Sequence, residues 1–139
     1  MTILDTNVLS ALMHIAPDKK VVAWLDRQPR ASIWITSVTV LEIHFGLHIM
    51  PGGKRRSALI RSFQELLGKI DHRVVPFDVA AAQEAADLMA LRQKNGRPGD
   101  LRDTMIAGIV RAQHATLATR NTAHFEDTAV PLLDPWTLS

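Results

Sequence analysis

Short apolar runs alternate along this chain with longer segments of helical periodicity, which predicts an α/β domain built on a mainly parallel sheet. No internal repeat, low-complexity tract or linker-like stretch divides the 139 residues, so one domain over 1–139 is expected. Apolar residues make up 47% and charged residues 22%, enough for both a buried sheet and a wetted surface.

The elements follow in order. Ile3-Leu4 is the first strand candidate, and Asp5 behind it can cap a helix. Pro17 stands where another helix can start, with Val21, Val22 and Leu25 at helical spacing. Residues 31–36 carry Ile33, Trp34 and Ile35 and read as a buried strand. Ser37 can then cap a helix reaching Met50, where Pro51-Gly52-Gly53 stops it. A further helix fits residues 54–69, and residues 73–77 form a strand that Pro76 terminates. Asp78 is a natural cap for an alanine-rich helix to Asn95, and Asp100 for another to His114. Residues 116–119 and 130–133 supply the last two strands.

Composition removes several kinds of chemistry. The chain has no cysteine, which excludes disulfides, thiolate-bound zinc, iron–sulfur clusters and thiolate nucleophiles. No apolar run approaches the roughly 20 residues of a membrane span. The start Met1-Thr2-Ile3-Leu4-Asp5 lacks the basic residues of a secretory signal, so a cytoplasmic protein without a membrane partner is expected. Sixteen Lys+Arg against fourteen Asp+Glu leave a formal charge of +2, which permits nucleic-acid binding without diagnosing it.

In a parallel sheet, sites gather beyond the carboxyl ends of the strands. Asp5 directly follows the first strand; alone, it reads more readily as a helix cap than as a site residue. Glu42 shares its helical face, within about 60°, with Val38, Phe45, Gly46 and Ile49, so a carboxylate is centred on an apolar stripe. A salt bridge to an arginine from elsewhere is the competing account of Glu42. Asp103 repeats the pattern beside Ile106, Ala107, Val110 and His114, although an acid also suits a first helical turn. Asn121 follows residues 116–119 and alone reads as a turn residue. Together the four polar groups converge on one sheet edge.

Converging carboxylates repel, and two unit charges 4 Å apart cost about 4 kcal/mol at an effective dielectric near 20. A cation among them, or a proton on one, relieves that repulsion. All-oxygen ligands favour a hard ion, Mg²⁺ or Mn²⁺ as its substitute. Such an ion suits phosphodiester hydrolysis, because it acidifies water and offsets charge on the phosphate.

Four segments carry a family resemblance: Met1-Thr2-Ile3-Leu4-Asp5-Thr6-Asn7-Val8, Ser37-Val38-Thr39-Val40-Leu41-Glu42, Asp103-Thr104-Met105-Ile106-Ala107, and Leu117-Ala118-Thr119-Arg120-Asn121-Thr122. In order and spacing they resemble the PIN-domain ribonucleases, and among these the VapC/FitB toxins of bacterial toxin–antitoxin modules. The resemblance implies a Rossmann-like α/β/α sandwich and a Mg²⁺-dependent endoribonuclease. It also implies a cognate antitoxin, contact with DNA only through the antitoxin complex, and a homodimer. By the same resemblance Asp5 and Asp103 are metal ligands, and Glu42 positions a water or fills a second, weaker metal site. Asn121 stands where the family often has Asp. Its amide keeps a carbonyl ligand but removes a charge, which leaves the number of metals open, with Glu126 or Asp127 as possible compensation. Thr6 and Asn7 would orient Asp5 or meet a phosphate. A catalytically weak scaffold that binds an antitoxin and regulates DNA through it is the alternative from another class.

Other motifs carry less. His44 and His48 stand four apart on one helix, but Phe45 occupies the place where a zincin needs Glu. There is no Gly-x-Ser-x-Gly elbow and no Gly-x-x-x-x-Gly-Lys phosphate loop. Asp5-Thr6-Asn7 superficially resembles an aspartyl-phosphate phosphatase start, with Asn7 in place of its second acid. Lys54-Arg55-Arg56 with Arg61, and Arg92, Lys94, Arg97 and Arg102, can line a phosphate track or simply be solvated faces. Trp24, Trp34 and Trp136 read as core or interface residues rather than base platforms.

Overall fold

The computed structural model describes residues 1–138. Its five strands are β1 (Thr2–Leu4), β2 (Ile33–Thr36), β3 (Val74–Val75), β4 (Thr116–Ala118) and β5 (Leu132–Leu133). They pair in the order β3-β2-β1-β4-β5, and every pairing is parallel. Six helices connect them: α1 (Thr6–Met13), α2 (Lys19–Asp26), α3 (Ser37–Ile49), α4 (Lys54–Lys69), α5 (Val79–Lys94) and α6 (Leu101–Ala112). The expected α/β class with its parallel sheet is therefore present.

Two cores flank the sheet, because each buried strand offers alternate side chains to opposite faces. Leu4, Ile33, Ile35 and Ala118 pack with Val8, Leu9, Val21, Trp24, Ile43 and Phe63 on one side. Ile3, Val75 and Leu117 pack with Ala81, Leu88, Ile106, Ala107, Ile109 and Val110 on the other. Apolar residues on both sides of short strands are what a sheet covered on both faces requires.

Helix starts obey capping chemistry more closely than propensity. Asp5, Asp18, Asp78 and Asp100 each accept a backbone N–H of the turn they open. Four of the sequence assignments shift. Asp18 rather than Pro17 opens α2. Thr36, not Ser37, caps α3 by accepting the Thr39 N–H, which frees the Ser37 hydroxyl to accept the Phe77 N–H just beyond the neighbouring strand β3. Residues 31–32 belong to a 3-10 turn (Arg30–Ser32) that delivers the chain into β2. The helix expected to reach His114 ends at Ala112, and His114 turns into the left-handed region at φ 51°.

Burial corrects the α3 and α6 stripes too. The inward residues of α3 are Val38, Thr39, Ile43 and Leu47, whereas Phe45 and Ile49 are exposed. Glu42 therefore sits on the shoulder of its helix, and the stripe expected around it is half in solvent. On α6, Ile106, Ala107 and Val110 are buried as expected, but His114 lies outside the helix and is exposed.

Candidate active site

The sheet delivers Asp5 to its carboxyl edge. The Asp5 N–H donates to the Ala118 carbonyl at 2.8 Å, so the β1–β4 ladder runs one residue past β1 before the chain bends into α1. The side chain is buried, only 4% exposed. Its Oδ1 accepts the Thr6 N–H at 2.9 Å, and its Oδ2 accepts the Thr119 hydroxyl at 2.8 Å and the Asn7 amide at 3.4 Å. Burial pushes the Asp5 carboxyl up to about 6. Thr119 and Thr6 pull it back, and the carboxylates of Asp103 and Glu42 add to the rise.

Glu42 is tied to Asp5 through one residue. The Thr6 hydroxyl donates to Glu42 Oε1 at 2.8 Å while the Thr6 N–H serves Asp5. Because Thr6 has a single hydroxyl proton, the 3.0 Å contact with Thr39 Oγ1 must run from Thr39 to Thr6. Thr36 in turn donates to Thr39 at 3.4 Å, so three hydroxyls point in sequence at one carboxylate. Arg102 Nε lies 3.9 Å from Glu42 Oε2 with its side chain 46% exposed. A pair that long and that wet leaves Glu42 available.

Asp103 comes from the first turn of α6, where its N–H is held by Asp100 Oδ1 at 3.1 Å. Its carboxyl is raised above the usual range, first by burial and then by the neighbouring Asp100. His124 Nδ1, 3.4 Å from Asp103 Oδ2, works in the opposite direction.

Asn121 is exposed and touches this cluster only through its N–H, which donates to Thr119 Oγ1 at 3.1 Å. The polar group against Asp5 at that corner is Thr119. Asp127 is already engaged: Arg92 Nε and Nη2 hold its two oxygens at 2.9 and 2.8 Å. That fork keeps the Asp127 carboxyl below its ordinary range. The same buried guanidinium reaches Thr104 Oγ1 at 2.7 Å and the His124 carbonyl at 2.9 Å. Arg92 thus staples α5 to α6 and to the turn bearing His124, on both sides of Asp103. It lines a cavity of about 410 Å³ with Arg97, Gly99, His124 and Glu126.

Sequence reasoning places Thr6 and Asn7 near Asp5, passes over Thr39 and Thr119, and reads Arg92 as part of a phosphate track or a solvated face, whereas it is buried and paired with Asp127. Thr119 had a legible signal, since it ends the apolar run that leads to Asn121. Arg92 had none, because its acid partner lies 35 residues away. His44 packs edge-on against Phe63 at 5.5 Å between ring centroids, with His48 at 6.3 Å.

Among the described residues, no three His, Cys, Asp or Glu side chains form a ready metal cluster. Asp5, Glu42 and Asp103 offer oxygen alone, and Mg²⁺ commonly takes one or two carboxylates while keeping its waters and a phosphate oxygen. Their chemistry fits a hard cation held in an open, water-rich sphere, not one caged by protein.

The family described as PIN domain matches residues 2–131. A VapC ribonuclease, Y4jK of Sinorhizobium fredii, is 39% identical over 137 residues, covering 98% of both chains. The chain belongs to the PIN-domain family, with the VapC and FitB proteins. This PIN domain is also 31% identical to toxin FitB of Neisseria gonorrhoeae, over 98% of its own length and 99% of that protein. Its fold superposes on the structure of FitAB bound to the IR36 DNA fragment with a TM-score of 0.89 and 31% identity, covering 100% of this chain and 98% of that one. Asp5, Glu42 and Asp103 thus sit in a chain similar throughout to a protein named as a ribonuclease.

Proposed function

We propose that this PIN domain is the toxin of a type II toxin–antitoxin pair, and that it hydrolyses RNA phosphodiester bonds with Mg²⁺, Mn²⁺ serving as a substitute. The observation that carries this reading is the meeting of Asp5 and Glu42 on one threonine, with Asp103 held by Asp100 and His124 at the start of α6. Asp5 and Asp103 would hold the ion, with Glu42 beside it. When bound, the ion supplies positive charge against the phosphate oxygens and acidifies water.

The protein's own groups do the rest. Thr119 and the Thr6 N–H fix both Asp5 oxygens, so the carboxylate keeps one orientation. The Thr6 hydroxyl holds Glu42 Oε1 and leaves Oε2 to accept a proton from an attacking water. His124 and the Arg92 staple steady Asp103 from behind. Asn121 lines the exposed rim beyond Thr119.

An antitoxin partner, with DNA reached only through it, is proposed from the likeness to FitB and to FitAB on DNA. A homodimer is proposed with it. The scaffold-only alternative is not favoured, since Asp5, Glu42 and Asp103 are all present and none is neutralised by a close guanidinium. The deciding assay is cleavage of RNA by the partner-free protein. Cutting should need Mg²⁺, stop with EDTA, and disappear in a folded Asp5→Asn variant. Cleavage that survives EDTA or Asp5→Asn refutes the proposal.

A further inference from the structure

Arg120 and Trp136 lie just beyond the carboxyl ends of the neighbouring strands β4 and β5, on the rim that carries Asp5. The Arg120 guanidinium carbon stands 4.8 Å from the centroid of the Trp136 ring. Arginine stacks on an aromatic face in this way while its edge donors stay free. The Arg120 backbone is fixed as well: its N–H donates to Asn7 Oδ1 at 3.2 Å, and the Asn7 amide contacts Asp5 Oδ2. Two bonded steps therefore connect this cation to the buried acid.

Its charge is also uncommitted. Arg73, Arg92, Arg102 and Arg111 each have a carboxylate within 4 Å, at Asp71, Asp127, Glu42 and Glu84. Among the described residues Arg120 has no such partner, although it is exposed. Holding a flexible, unpaired cation on a ring removes much of the entropy that a ligand must otherwise overcome.

We infer that Arg120, stacked on Trp136, is a subsite for a backbone phosphate of single-stranded RNA, flanking the bond that is cut. This rests on the ribonuclease reading and adds to it a place where the substrate is gripped outside the acid cluster. Guanidinium donors in a fixed fork match a phosphodiester, and the contact carries no base preference.

The test measures binding of a short labelled single-stranded RNA by fluorescence anisotropy across a salt series, in an Asp5→Asn background. Arg120→Ala should weaken binding roughly fivefold at low salt and flatten the slope of log K against log salt by about 0.7. Trp136→Leu should lose part of the same affinity, and Trp136→Phe, which keeps an aromatic face, should retain it. Arg27→Ala removes an equal charge after α2, toward the opposite end of the sheet, and should leave affinity and slope unchanged. Melting curves establish that each variant is folded. If Arg120→Ala binds like the parent, or if Arg27→Ala loses as much, the subsite is overturned and the nuclease reading stands. If the parent itself binds no RNA, both fall.

Discussion

The Thr6 hydroxyl donates to Glu42 Oε1 across 2.8 Å, although the two residues are 36 positions apart. The same residue gives its N–H to Asp5, so one threonine sets the spacing of two acids. Thr6→Val keeps the shape and removes the hydroxyl, leaving Glu42 and Thr39 each short of a partner. A stability loss of about 1 kcal/mol is expected in urea unfolding. Cleavage should fall further than that loss explains, because Glu42 is no longer oriented. Thr6→Ser restores the hydroxyl and should recover most of the activity. A valine variant as active as the parent would remove Thr6 from the site.

Asp5 gives a pH dependence with a defined sign. Its carboxyl is raised from 3.8 to about 6 in the folded state, chiefly by burial. Folding therefore favours the protonated form. The stability this contributes is complete below the unfolded value and is lost as pH rises through the folded one, by about 3 kcal/mol in all. In chelator at about pH 8, Asp5→Asn should unfold at higher urea than the parent, and near pH 4 the two should converge. Added Mg²⁺ should raise the parent's midpoint and leave the variant's unchanged. A variant less stable than the parent at the higher pH would show that the Thr119 and Thr6 bonds outweigh the charge.

Arg92 and Asp127 behave in the opposite sense. Asp127 is held low by the guanidinium, so its contribution is present above the ordinary carboxylate pKa and lost as pH falls through the folded value. Arg92→Ala removes the buried half of the pair and leaves Thr104 and the His124 carbonyl without their donor. A cost of about 2 kcal/mol is expected from those unpaired acceptors, since the Asp127 carboxylate left behind is 40% exposed. Arg92→Lys keeps the charge but cannot form the fork, and should fall between. The acid limb of the parent's stability curve should disappear in Arg92→Ala; its persistence would assign that limb to other carboxylates.

The sequence exposed the sheet because buried parallel strands are short apolar runs, and it exposed the acids because Asp5 follows such a run, Glu42 stands on the helix leaving one, and Asp103 falls among the apolar residues of α6. Asp5 and Asp103 were readable as acids where a cap alone would suffice. The environment of Glu42 differs from the periodic pattern, since periodicity gives a face but not which face the rest of the chain covers; Phe45 and Ile49 are in solvent. Long-range polar contacts were the blind spot. Thr119 meets Asp5 across 114 residues, and Arg92 meets Asp127 across 35, and no local pattern encodes either pairing.

Gly108 is where the helical layer behind the site has least tolerance. It lies in α6 against α5, and a Cβ there would stand 2.6 Å from the Ala81 carbonyl oxygen, 2.8 Å from the Ala85 Cβ and 2.9 Å from the Ala85 nitrogen. Ala is the better helix former by about 1 kcal/mol, so propensity alone predicts that Gly108→Ala stabilises the protein. Sterics oppose it, because two of the three close atoms are backbone and can yield only if the helices separate. Overpacking of this kind typically costs about 1–3 kcal/mol, which outweighs the propensity gain. Gly108→Ala should therefore lower the melting temperature. Adding Ala85→Gly should not restore it, since the Ala81 carbonyl remains in the way. A stabilised Gly108→Ala protein would mean that α5 and α6 pack less tightly than these distances require.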